Sequence, residues 1–206
     1  MRGRFITLEG GEGVGKSTQA RMLAAALEVR GHNPLLTREP GGTPGAEAIR
    51  ALLLDPAQHF GPASETLLFA AARADHVAEA IDPALAAGRW VVCDRFLDST
   101  RAYQGGDEGL TDADIRTLHE IGCHGLLPDL TLLLNAAPEQ VAERLAARDG
   151  DNSDRIGGRP AAYHRAVAAR FSALAALEPE RFCVIDATGA PDDVHTRIMA
   201  AIEALA

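Results

Sequence analysis

Lysine is almost missing from this chain: Lys16 stands alone against 19 arginines. Arginine replaces lysine wherever a fixed planar fork will serve, but it cannot imitate a compact ammonium on a flexible stem. A single retained lysine therefore marks a position that needs that shape, and its neighbours decide what the shape is for. Cysteine is scarce as well. Cys93, Cys123 and Cys183 are odd in number and form no CxxC pair, which excludes a disulfide scaffold and favours reduced thiols. No apolar run approaches the roughly 18 residues of a membrane span. The N-terminal segment starts basic at Arg2 and Arg4, but its apolar stretch is too short for a signal peptide. The expectation is a cytoplasmic protein that spans no membrane. Positive charge is in deficit too: 29 acids face 20 bases, a net charge of −9. A surface of that sign repels DNA and RNA and leaves room only for small anions met by locally focused cations.

The 206 residues are 47% hydrophobic and 24% charged, which excludes disorder and fits a single domain over 1–206. Short β-type runs alternate with longer helical ones. Strands are expected at Phe5–Glu9, Pro34–Arg38, Trp90–Asp94, Leu130–Asn135 and Phe182–Asp186. Helices are expected at Lys16–Arg30, Gly45–Leu54, Ser64–Ala87, Thr111–Gly122, Pro138–Arg148, Pro160–Leu177 and Pro191–Leu205. Gly31 follows the first helix as a C-terminal stop, Thr111 opens a capping sequence, and Pro138 and Pro191 suit first-turn positions. Strands separated by such helices imply βαβ crossovers, hence an α/β fold with a five-stranded parallel sheet flanked on both faces. The polar, Gly-rich stretch 148–159 reads as a mobile lid.

Directly after the first strand comes Gly10-Gly11-Glu12-Gly13-Val14-Gly15-Lys16-Ser17, followed by Thr18 and a helix. This is the phosphate-binding loop pattern. Glycines let successive N–H groups wrap a phosphate at a helix N-terminus, Lys16 suits the β- and γ-phosphates, and Ser17 suits Mg²⁺. The lone lysine falls at the one place this motif demands it. Asp94 closes a buried strand, where an acid beside the loop can hold Mg²⁺ or its waters. The lysine deficit also prunes the alternatives: an Asn-Lys-x-Asp guanine motif cannot exist, and no Leu-Ser-Gly-Gly-Gln is present. Small-molecule kinases remain, in which arginines bridge donor and acceptor. Arg38 closes one strand and Arg95 follows another, and Phe69 and Arg73 share a helix face at i, i+4. That pair could stack a base and bond its edge, or be a core ring beside an arginine whose stem covers apolar surface.

The segments Thr37-Arg38-Glu39-Pro40-Gly41-Gly42-Thr43, Phe69–Arg73, Asp94-Arg95-Phe96 with Ser99–Gly105, and Pro128–Leu132 resemble bacterial thymidylate kinases in order and spacing, over residues 4 to 188. The likeness is to the type that carries its catalytic arginine in the lid. It implies a P-loop kinase of the nucleoside monophosphate group that uses ATP and Mg²⁺ to phosphorylate dTMP, acting as a homodimer. Residue by residue, it implies that Arg38 and Arg95 grip the acceptor phosphate, Phe69 packs on the thymine, and Arg73 bonds its edge. Thr100 and Gln104 complete base recognition, Ser99 lies in the same segment, Tyr103 crowds the sugar 2′ position, and Glu12 meets the 3′-hydroxyl. Since Gly11-Glu12-Gly13-Val14 carries no cation, Arg155, with Arg148, is the expected catalytic arginine beside Lys16 and Arg95. The chain departs from the family pattern at Gly157, where relatives have Glu, and at Asn135, where they have Asp. Asp186–Gly189 can line an adenine pocket, and the seven histidines show no metal-ligand spacing. The alternatives are a P-loop kinase for another nucleoside or nucleotide, and a nucleotide switch without an acceptor, which would have no use for a second phosphate clamp.

Overall fold

In the computed structural model, the described residues are 2–106, 109–137, 140–141, 144 and 156–203. Five parallel strands, β1 (Phe5–Glu9), β2 (Leu35–Arg38), β3 (Val91–Asp94), β4 (Leu130–Asn135) and β5 (Phe182–Asp186), stand in the order β2-β3-β1-β4-β5. The central strand β1 is buried at every position, as a parallel strand covered on both faces must be. Its register sets Leu8 beside Asp94 on one side and Leu132 on the other, while Arg38 pairs with Asp94 across β2–β3. The strand ends that carry function are thus aligned along one edge.

Side-chain alternation splits the core. Ile6, Leu8, Val92 and Leu132 face α1 (Lys16–Val29) and the C-terminal helix α8 (Pro191–Glu203), packing on Leu23, Leu27, Val194 and Ile198. Phe5, Val91 and Cys93 face the opposite way, against Val77, Ile81, Leu85, Phe96 and Ile115. The other helices are α2 (Pro44–Leu54), α3 (Pro62–His76), α4 (Asp82–Ala86), α5 (Leu97–Tyr103), α6 (Asp112–Cys123) and α7 (Ala161–Leu177), of which α4, α5 and α6 supply Leu85, Leu97 and Ile115 to this second cluster. Thr111 caps α6 in a reciprocal capping box with Asp114. Gly31, at φ 85°, ends α1 by donating its N–H to Glu28 O.

Two features differ from the sequence expectation. The helix expected over 64–87 contains a π-helical segment, Val77–Ile81, joining α3 to α4. Pro83 has no N–H to offer the preceding turn and its ring crowds the carbonyl there, so the wider turn accommodates it. Helix α5 has no counterpart in the sequence pattern. It is short and buried nearly all round, with Asp98, Thr100 and Arg101 inside, so it shows no amphipathic period. Asp98, fully buried, accepts from Arg101 (3.0 Å) and from both Nη atoms of Arg181 (2.7 and 3.0 Å), which fastens α5 to the start of β5. The helix expected at Pro138–Arg148 and most of the expected lid fall largely outside the described residues.

Candidate active site

The loop between β1 and α1 turns through left-handed glycines, Gly10 (φ 135°), Gly13 (72°) and Gly15 (98°). A Cβ at Gly10 would stand 2.5 Å from the Leu134 carbonyl oxygen, so the loop reaches its position only because that atom is missing. Lys16, the first residue of α1, is buried, and its Nζ donates to Gly11 O (2.5 Å). Burial, with Arg95 adding, lowers its pKa to about 8 despite the opposing charges of Glu12, Asp94 and Glu9.

A test follows from this shift. In the free enzyme the ammonium is lost as pH rises through about 8, so kcat/KM for ATP should fall above that pH. A profile flat to pH 9.5 would contradict the assignment. The sign for folding is opposite. The unfolded chain binds the extra proton between pH 8 and 10.5, so the Lys16 contribution to stability rises with pH over that window.

Ser17 Oγ donates to Asp94 Oδ2, and Asp94 Oδ1 is buried with no hydrogen-bond partner among the described residues. A hydroxyl beside a carboxylate with a spare buried oxygen fits Mg²⁺, which takes few protein ligands and fills its sphere with phosphate and water. Among the described residues no cluster of three or more His, Cys, Asp or Glu side chains offers a denser cation cage.

Opposite the loop, Arg95 leaves β3 with φ 71°, an uncommon conformation for a side-chain-bearing residue that turns it back over the sheet edge. Its guanidinium donates to Glu12 Oε1 (2.6 Å), Gly10 O (3.2 Å), Ser99 Oγ (3.1 Å) and Tyr103 OH (3.3 Å), and lies 5.0 Å from the Tyr103 ring centre. Burial opposes this charge, but Glu12, Tyr103, Asp94 and Glu9 outweigh it and keep the pKa above the ordinary arginine value. Beneath Arg95, Glu9 accepts from Phe96 N (2.8 Å), Ser99 N (3.2 Å) and Ser99 Oγ (2.6 Å). Burial and the nearby Asp98 lift its pKa to about 7, against the hydrogen bond from Ser99 and the charge of Arg95. Arg38 is half-exposed, and its Nη2 donates to both carboxylate oxygens of Glu47 (2.9 and 3.1 Å).

Arg73 is buried and held from three sides. Its Nε donates to Glu39 Oε2 (2.8 Å), and its Nη2 donates to Thr100 Oγ1 (2.6 Å) and Phe96 O (3.2 Å). His76 joins Glu39 Oε1 (3.1 Å) to Thr37 Oγ1 (2.7 Å). Farther along, Gln104 Nε2 donates to Glu65 Oε1 (2.9 Å).

Many of these groups line one cleft of about 870 Å³. Of the residues expected from sequence, Glu12 through Thr18, Arg38, Phe69, Arg73, Asp94, Arg95, Ser99, Thr100, Tyr103 and Gln104 all line it. Gly10 and Gly11 shape the loop behind its wall; Arg148 and Arg155 lie outside the described residues. Sequence reasoning assigned no role to Glu9, Glu39, Arg50, Glu65, His76 or Arg144. Arg50 and Arg144 line the cleft as well, Arg50 donating to Pro40 O (2.7 Å) and Arg144 spanning Val14 O (3.3 Å), Ala187 O (3.1 Å) and Gly189 O (3.3 Å). For Glu39 the available signal was an acid set between Arg38 and Pro40 and four short of Thr43; for the arginines only helical spacing existed. Gly189, Pro191 and Val194 line the cleft too, and Gly189 belongs to the turn expected to meet adenine.

A parallel sheet with a phosphate loop at its carboxyl edge, a Ser–Asp pair beside that loop and arginines lining the same cleft define a P-loop phosphotransferase. A family model described as thymidylate kinase matches residues 8–198. Thymidylate kinase of Rhizorhabdus wittichii is 59% identical over all of this chain and 98% of its own, and that of Chromohalobacter salexigens is 52% identical over 96% and 94%. The crystal structure of thymidylate kinase from Ehrlichia chaffeensis superposes with a TM-score of 0.78 at 32% identity, covering 98% of this chain and all of that one. The chain belongs to the thymidylate kinase family.

Proposed function

We propose that the protein transfers the γ-phosphoryl group of ATP to an oxygen of the dTMP 5′-phosphate, releasing ADP and dTDP, a step of dTTP biosynthesis. The observation that carries this is that one cleft is lined both by the Lys16 loop and by Phe69, Arg73 and Arg95. Phosphoryl transfer demands little covalent work of a protein, so positioning and charge neutralisation account for the rate. Lys16 would meet the β- and γ-phosphates of ATP, exchanging its bond to Gly11 O for them. Ser17 and Asp94 would hold Mg²⁺, which offsets phosphate charge when bound. Arg95 would exchange Glu12 for the acceptor phosphate, and Arg38 would leave Glu47 for it, each forking onto a dianion. Glu12 would then turn to the 3′-hydroxyl, and Tyr103 would limit space at the 2′ position.

The phosphate loop has Gly11, Glu12, Gly13 and Val14 at its variable positions, so the remaining cation is assigned to Arg155, aided by Arg148. Arg155→Ala should slow single-turnover transfer about 10³-fold, by analogy with arginine fingers; a wild-type rate would remove Arg155 from this role. The reading also carries a cytoplasmic homodimer, which a sizing column tests. An ADP-release assay with ATP and Mg²⁺ across dTMP, dUMP, the ribonucleotide of thymine, AMP, CMP and thymidine tests the activity. Preference for dTMP supports it, and preference for AMP, CMP or thymidine transfers the site to another nucleotide or nucleoside.

A further inference from the structure

Glu65, at the start of α3, is buried and belongs to none of the phosphate-binding groups. Its carboxylate accepts from two sides. Gln104 Nε2 donates to Oε1 at 2.9 Å, and Arg159 Nη2 donates to Oε1 at 2.9 Å and Oε2 at 2.7 Å. Arg159 is fixed in turn: Nη1 donates to Tyr163 OH (2.5 Å), its guanidinium lies 4.6 Å from that ring's centre, and Tyr163 OH donates to Tyr103 O (2.7 Å). The assembly ties the residue after Gly158 to the end of α5. Tyr103 and Gln104 form the wall between the main cleft and a second hollow of about 350 Å³, on whose side Glu65, Arg159 and Tyr163 lie.

An ionised carboxylate only accepts hydrogen bonds, so the donor end of the Gln104 carboxamide must turn to Glu65. That leaves its carbonyl oxygen, an acceptor, for a ligand in the cleft. Arg73, nearby, offers only donors. One acceptor beside one donor matches the imide edge of thymine or uracil, with N–H at ring position 3 and a carbonyl at position 4. It opposes cytosine, which has a bare nitrogen and an amino group at those positions.

We propose that Glu65, braced by Arg159, is a positioning residue that sets pyrimidine specificity by fixing which end of Gln104 meets the base. The proposal rests on the assignment of Gln104 to the base. Glu65→Gln removes the constraint: the new carboxamide accepts from Arg159 and donates to Gln104 Oε1, which lets the Gln104 amide rotate and point its NH₂ at the base. A donor facing N3–H is a mispairing, and a donor facing a bare nitrogen is a match.

The test is steady-state kinetics of Glu65→Gln, Gln104→Ala and the double variant in the full chain, with dTMP and dCMP as acceptors. Glu65→Gln should raise KM for dTMP about tenfold with KM for ATP unchanged and kcat within about threefold, and lower the dTMP-to-dCMP ratio of kcat/KM by about tenfold or more. In the Gln104→Ala background the same substitution should change neither quantity. Arg159→Ala should move the ratio in the same direction and Arg159→Lys less, which separates a positioning effect from general loss of folding. Equal changes toward dTMP and dCMP, or multiplying effects in the double variant, overturn the positioning role while leaving Gln104 at the base. An unchanged dTMP KM in Gln104→Ala alone removes Gln104 from the base and overturns the proposal from its foundation.

Discussion

Replacing Lys16 with methionine should lower kcat about 10³-fold while leaving the dTMP KM within a few-fold of wild type. The side-chain volume is kept, so α1 and its packing on the sheet survive; only the ammonium is lost. That ammonium sits among Glu12, Asp94 and Arg95 in a site where burial strengthens every charge. It is the group that can follow negative charge as the γ-phosphoryl moves. Arginine should restore little, because its fork is longer and planar where the loop has shaped a space for a point charge. The measurement is a single-turnover rate at saturating ATP and dTMP, and a methionine variant within tenfold of wild type would mean that Lys16 does not meet the transferring group.

The second large effect concerns folding. Glu39→Ala should cost about 3–5 kcal/mol, because it leaves the Arg73 guanidinium buried without its carboxylate and deprives His76 of a partner. In a chain of this size that is a fall of roughly 10 °C in melting temperature. Urea unfolding of the variant measures it. The same change should raise the dTMP KM, since Nε of Arg73 loses its anchor while Thr100 and Phe96 O still hold Nη2. A stability loss under about 1 kcal/mol would show that water or a shifted side chain replaces Glu39 without penalty.

What was legible in the sequence, and what was not, divides along physical lines. All five strands were readable, three to the residue, because apolar runs this short, bounded by Gly, Pro or charge, are too brief for the helices that cover a sheet. The loop 10–17 was readable because its glycines and lysine are required by local backbone geometry. Asp94 was readable as the acid that closes a buried strand, whereas Phe69 and Arg73 shared a helix face with two readings open until their neighbours formed motifs resembling a family. Helix α5 escaped because periodicity reports amphipathicity, and a short helix buried through Asp98, Thr100 and Arg101 has none. The π-helical segment escaped because Pro83 announces a disturbance without stating its form. Glu9, Glu39 and Glu65 escaped for a common reason. Each acts on a partner far away in sequence, Ser99, Arg73 or Gln104, and an isolated carboxylate looks like surface until the fold closes over it.

The most direct test of the whole account is a crystal structure of the protein with dTMP, Mg²⁺ and a non-hydrolysable ATP analogue bound together. The prediction has the triphosphate wrapped by residues 10–17, the thymine ring against Phe69 with its edge at Arg73 and Gln104, and the 5′-phosphate on Arg95. A deoxynucleotide bound anywhere other than between Phe69 and Arg95 would contradict it.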